Sequence, residues 1–268
     1  MLYLCACIFR IMLNYKVISN NPSNRWVVMI HGAGGSIEVW FRQVPDFARH
    51  FNLLLVDLAG HGGSVGEALC NGINFEKTAR QVMEVVDALK IEKAHFMALS
   101  LGCIVARVIA EMYPTRVESM VLAGAVTTLS IETRILLRLV DTFKKLIPYR
   151  LMKWAIAQFI IPQQKFSNSK NLFLRSAQKL SFDSFLEWMK LGDNIAQMLS
   201  NLFSRKLMIP TLYMMGENDR LFLARARLAA LEGGDMVSMV VVPDAGHVCN
   251  VDNKKFFNRV SIEFFNRV

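Results

Sequence analysis

A serine set between a strand and a helix is the group in this chain best placed to do chemistry. Within residues 93–106, KAHFMALSLGCIVA, an apolar run over 96–99 stops at Ser100, and a helical pattern begins at Cys103. Ala98 and Gly102 stand two positions either side of it. That spacing fits a strand–turn–helix so sharp that its neighbours must be small, which lifts the serine hydroxyl clear of the main chain. Such a hydroxyl is a weak nucleophile until a base takes its proton. Two later polar clusters offer partners: Gly216-Glu217-Asn218-Asp219 and Asp244-Ala245-Gly246-His247. His247 is the candidate base. Asp219 is the candidate acid, with Glu217 and Asp244 as competitors.

The elements that must position these groups follow from hydropathy. Residues 26–30 (WVVMI) and 51–56 are continuous apolar runs, as strands buried on both faces require, and 94–99, 117–123, 211–215 and 237–242 read as further strands. A shorter strand is expected at 15–19. Helical spacing is expected over 38–50, 75–89, 103–113, 221–231 and 255–267. The alternation predicts an α/β fold with a mostly parallel central sheet flanked by helices. It breaks between 127 and 206, where only helical periodicity is found. There Ile131, Ile135, Leu139, Phe143 and Ile147 share one face, and Arg134, Arg138 and Lys145 share another. Further helices are expected at 182–191 and 195–203. The division is therefore a core formed by 1–126 with 207–268, interrupted by an all-helical insertion at 127–206.

Every polar cluster falls at the carboxyl end of an expected strand, where parallel sheets form their sites. These are His31–Ser36, Asp57–Ser64, Ser100, Gly216–Asp219 and Ala245–His247.

With 268 residues and 53% hydrophobic content, the chain can bury a large core. The net charge of +9 is concentrated: residues 127–206 hold 13 Lys and Arg against 5 Asp and Glu. That argues against nucleic-acid binding by the whole domain and for a local positive feature. The longest uncharged runs, 94–106 and 119–131, have 13 residues, short of a membrane span. Residues 1–9 lack the basic start and cleavage site of a signal peptide, and Met12 offers an alternative start that leaves 1–11 dispensable. Five unclustered cysteines (5, 7, 70, 103, 249) point to reduced thiols in a cytoplasm. No metal or cofactor is expected.

The motifs HGAGGS, DLAGHGGS, ALSLG, GENDRL and AGHVCNVD together resemble the α/β-hydrolase superfamily across essentially the whole length. The order Ser…Asp…His is that family's order. The resemblance implies a triad of Ser100, His247 and Asp219, an oxyanion loop after His31, and a helical cap at 127–206. The backbone amides of Leu101 and Ala33 (or Gly34) would bind the oxyanion. Ala98 and Cys103 depart from the family pattern, in which glycine is usual at the first and common at the second. His31, Asp57 and His61 are expected to brace loops, His50 and His95 to be structural, and Cys103 and Cys249 to be buried apolar packing.

The implied activity is hydrolysis of a small ester, lactone or thioester through an acyl-serine, on an acyl or anionic small molecule. The tail is similar to those of capped carboxylesterases and enol-lactonases. Relatives that open epoxides or displace halide carry Asp at the position of Ser100, so those reactions are not expected. A cofactor-free lyase or C–C bond hydrolase acting on an anionic substrate with the same triad is the alternative. A ligand-binding receptor of the same fold is another. Phe143, Trp154, Phe159, Phe173, Phe185, Trp188, Met189 and Met198 are candidates to line the pocket or to form the insertion's own core.

Overall fold

The computed structural model describes residues 12–21, 23–64 and 72–268, so the leader at 1–11 and Cys5, Cys7 and Cys70 lie outside the described residues. Seven strands form one sheet in the order β1-β3-β2-β4-β5-β6-β7. They are β1 (Tyr15–Ile18), β2 (Trp26–Ile30), β3 (Asn52–Val56), β4 (Ala94–Leu99), β5 (Val117–Ala123), β6 (Thr211–Gly216) and β7 (Val237–Val242). Only β1 runs antiparallel to its neighbour; every other pairing is parallel.

The continuous apolar runs are explained by two cores, one on each face. In β2, Val28 and Ile30 enter the first core while Val27 and Met29 enter the second. In β4, Phe96 and Ala98 face the first core and Met97 and Leu99 the second. Both of these central strands must therefore be apolar at odd and even positions.

Around the sheet lie α1 (Val44–Phe47), α2 (Phe75–Ala88), α3 (Leu101–Met112), α9 (Leu223–Glu232), α10 (Cys249–Asp252) and α11 (Lys254–Arg267). The helix expected over 38–50 is broken. Ser36 accepts a hydrogen bond from the Glu38 amide and starts one 3-10 turn, Ile37–Trp40. Helix resumes only at Val44, with Pro45 in its first turn. A proline further inside a helix would lack an amide donor and clash with the preceding turn, so the segment divides in front of it.

Between β5 and β6 the described chain is helical: α4 (Ile131–Phe143), α5 (Tyr149–Ile160), α6 (Ser167–Ala177), α7 (Phe182–Met189) and α8 (Gly192–Phe203). Ser130 and Ser181 cap α4 and α7 through their side chains. Arg107, buried in α3, donates to the Leu202 carbonyl at 2.6 Å and ties α8 to the core. No described helix is long and apolar enough to cross a membrane.

Candidate active site

The turn after β4 carries Ser100 in a conformation that side chains rarely adopt, with φ 53° and ψ −117°. Such backbone costs on the order of 1–3 kcal/mol and persists only where the surroundings enforce it. Here they do. The Ser100 amide donates to the Ala123 carbonyl at 2.9 Å, pinning the turn to the end of β5. Gly102 meets the end of β2: a Cβ there would lie 2.6 Å from the carbonyl oxygens of Ile30 and His31. Glycine is therefore required at 102 by contact, not by dihedral angle.

The two departures from the family pattern are accommodated. Ala98 keeps a negative φ and pairs in register with Ile30 and Leu122, so its methyl lies in the core. The Cys103 thiol donates to the carbonyls of Ala98 and Ala123, and burial pushes its pKa well up. Cys249, likewise buried, donates to the Met214 carbonyl, and burial raises its pKa too. Neither thiol is a nucleophile at neutral pH.

Three groups far apart in sequence meet at the ends of β4, β6 and β7. His247 Nε2 lies 3.0 Å from Ser100 Oγ, and His247 Nδ1 lies 2.8 Å from Asp219 Oδ2. Asp219 and His247 are nearly inaccessible to solvent. With Nδ1–H donating to the carboxylate, the Nε2 lone pair is left to accept the serine proton. The second oxygen of Asp219 accepts from the Phe222 amide at 3.2 Å, so this residue both orients the histidine and caps the turn before α9. The competing carboxylates are engaged elsewhere: Glu217 accepts from the Asp244 amide, and Asp244 is exposed beside Lys165.

The neighbouring loops are braced by buried polar groups. His31 Nε2 accepts from the Leu58 amide, so its Nδ1 proton donates to the Gly32 carbonyl. Burial lowers its pKa to about 4. His61 Nε2 accepts from the Gly34 amide at 3.0 Å, and burial lowers its pKa to about 3. That bond occupies the Gly34 donor, whereas no hydrogen bond among the described residues uses the Ala33 amide. Asp57 accepts from the amides of Ile37 and Gly63 and from Asn14 Nδ2. His95 sits below the sheet against Phe265 and His50 on the surface, both away from Ser100.

A cavity of about 230 Å³ opens over Ser100. Its floor is the Gly32–Gly35 loop, Ser100, Leu101 and His247, and its walls come from the inserted helices. Of the candidates, Phe173, Phe185, Trp188 and Met189 line it; Phe159 and Met198 do not, and Phe143 and Trp154 are exposed to solvent. The wall is almost wholly apolar, and Lys153 is its one charged side chain among the described residues. Its ammonium donates to the Ala177 carbonyl and lies 4.2 Å from the Tyr149 ring centre.

One residue with a clear positional role was missed in the sequence. Asp252 accepts from the Gly246 amide at 2.8 Å with one oxygen and from the Ser169 hydroxyl with the other. It thus fastens α6 to the loop carrying His247. Its only sequence signal was its place at the end of AGHVCNVD.

Among the described residues no three His, Cys, Asp or Glu side chains group as a metal site would require.

A family model for the alpha/beta hydrolase fold matches residues 25–254. The chain belongs to this family. A putative carbamate hydrolase, RutD, of Pantoea ananatis is 25% identical over 266 residues, covering 94% of this chain and 93% of that protein. A putative 2-succinyl-6-hydroxy-2,4-cyclohexadiene-1-carboxylate synthase of Bacillus subtilis is 26% identical over 281 residues, covering 96% of both. Among solved structures, the enol-lactonase from Burkholderia xenovorans LB400 superposes with a TM-score of 0.73 at 20% identity, covering 95% of this chain and 96% of that one. That likeness concerns the fold. Membership of the alpha/beta hydrolase fold family is what these likenesses establish; the reaction is a separate question.

Proposed function

We propose that this protein cleaves a small ester, lactone or thioester through an acyl-enzyme on Ser100. The observation that carries the reading is the unbroken line Ser100 Oγ, His247, Asp219 opening into an apolar cavity. In this reading Ser100 Oγ attacks the substrate carbonyl while its proton passes to His247 Nε2. Asp219 holds the imidazole tautomer and stabilises the imidazolium that forms. The amides of Ala33 and Leu101 receive the developing oxyanion, each worth about 3–4 kcal/mol of barrier. His247 then protonates the leaving group, and the same steps run with water to release the acid.

Residues 127–206 act as a cap that keeps water from the acyl group. The unpaired buried thiols Cys103 and Cys249 support a reducing, cytoplasmic location.

The test is a panel of p-nitrophenyl esters, thioesters and lactones run beside Ser100→Ala, with fluorophosphonate labelling. Labelling and turnover that both vanish in Ser100→Ala are expected. Tight ligand binding without turnover would instead identify a receptor.

Lys153 favours a second reading, in which the substrate is anionic and the same three residues support C–C cleavage or elimination. Among the described residues no carboxylate pairs with its ammonium, so the charge is available to a substrate carboxylate. If Lys153→Met raises KM for anionic substrates and leaves neutral esters unaffected, this second reading holds.

A further inference from the structure

The inserted helices are apolar on the side that faces away from the protein. In α4, Thr133 and Val140 are buried and Leu137 lines the cavity, which defines the inner face. Ile131, Ile135, Leu139 and Phe143 recur at every fourth position and so stack along one outer face. Their exposures are 70%, 53%, 50% and 41%. After the helix Leu146 is 78% exposed, and on α5, five residues further on, Leu151 and Trp154 are each about half exposed. The spacing reads as a core-facing helix side, but the structure turns it outward. A contiguous run of large exposed apolar side chains marks an interaction surface.

The charges beside the stripe identify what it meets. Arg134 and Arg138 form a row next to it, and Lys145 and Arg150 lie at its end, all exposed and none in an ion pair among the described residues. Of the two acids on α4, Asp141 is paired with Lys144 at 2.6 Å. An apolar strip edged by unpaired cations on short helices, none long enough to span, is the pattern of an element lying in the plane of a bilayer interface. The cations then meet lipid phosphates while the apolar side chains enter the acyl layer.

We propose that the outer face of α4 and α5 docks this protein on an anionic phospholipid membrane. A merely acidic surface would satisfy the cations but not the stripe. A bilayer satisfies both, and it shares its chemistry with the cavity: Leu137, Ile156 and Ile160, on the inner sides of the same helices, form the apolar wall over Ser100. Docking therefore places an acyl-chain reservoir one helix thickness from the cavity. The inference that lipid-derived acyl esters are the substrates rests on the acyl-enzyme reading; the docking itself does not.

The experiment is sedimentation of the full chain with vesicles of phosphatidylcholine containing phosphatidylglycerol, against vesicles of phosphatidylcholine alone. Binding to the anionic vesicles that weakens in high salt is expected, with quenching by brominated lipid that diminishes in Trp154→Phe. Replacing Arg138 and Lys145 together by Ser should weaken binding by roughly 20- to 30-fold. Ile135→Ser with Leu146→Ser should abolish it. Both double variants should turn over p-nitrophenyl acetate like the parent, which shows that they fold.

Ser100→Ala should bind vesicles normally, so docking survives even if the acyl-enzyme reading fails. Absence of binding by the folded parent, or binding unchanged in both double variants, overturns the proposal. A dimer that Ile135→Ser with Leu146→Ser dissolves, without vesicle binding, assigns the stripe to a second copy. Capture by an acidic carrier protein but not by vesicles assigns it to that partner.

Discussion

The carboxylate of Asp219 faces the imidazole of His247 at 2.8 Å, while its other oxygen takes the amide of Phe222 at 3.2 Å. A helix-capping acid and a histidine-orienting acid are usually treated as competing readings of one residue. Here they are the same contact set, and the cap fixes which oxygen is left for the histidine.

Asp219→Asn preserves the cap and the shape but presents an amide to Nδ1, which favours the wrong tautomer. Its kcat on an ester substrate should fall by about ten-thousand-fold with little change in melting temperature. Glu217→Gln and Asp244→Asn should leave kcat unchanged. Loss of activity in Asp244→Asn alone would overturn the assignment.

The turn at Ser100 stores strain that a glycine would release. Ser100→Gly should be more stable than Ser100→Ala by about 1 kcal/mol or more in urea denaturation, since both lack the hydroxyl and only one keeps a Cβ at positive φ. Equal stability would show that the turn is not strained.

Crowding at the elbow is one-sided. Gly102→Ala forces a methyl against the carbonyls of Ile30 and His31 and should cost about 1–3 kcal/mol, with activity lost as α3 shifts. Ala98→Gly, which restores the usual family residue, should cost only about 1 kcal/mol and retain activity. Thermal melts with ester turnover separate the two.

Acid should unfold the protein through its buried histidines. His31 and His61 have folded pKa values of about 4 and about 3, below the ordinary 6.5, because burial disfavours their charged forms. Between those values and 6.5 the unfolded chain binds more protons, so stability rises with pH and is lost as pH falls below about 6.5. Each histidine should remove on the order of 1–2 kcal/mol between pH 7 and pH 5. Denaturation midpoints at the two pH values measure it.

Narrowing the cavity should change which acyl chains fit. Ile156→Trp fills part of the wall contributed by α5. Turnover of an octanoate ester should fall by roughly tenfold or more relative to the parent, while the acetate ester is little affected. Parallel loss on both would indicate misfolding rather than a shorter pocket.

Much of the frame was legible because burial leaves a strong imprint. Strands β2 and β4 begin and end where their apolar runs do, since both faces of the sheet are covered there. Ser100, Asp219 and His247 were legible because each lies at such a strand end. The break around Pro45 was not foreseen, because helical spacing on either side of it is continuous. Nor was the direction of the α4 stripe. Period shows that Ile131 and Ile135 share a face; only the packing of Thr133 and Val140 shows that this face is the outer one. The partners of Asp252 were invisible because Ser169 is 83 positions away.

That last contact joins the wall of the cavity to the loop that carries His247. Ser169 faces the cavity from α6, and the carboxylate it meets also holds the amide of Gly246, next to His247. Asp252→Ala should therefore loosen two places at once, the α6 wall of the cavity and the loop that carries His247.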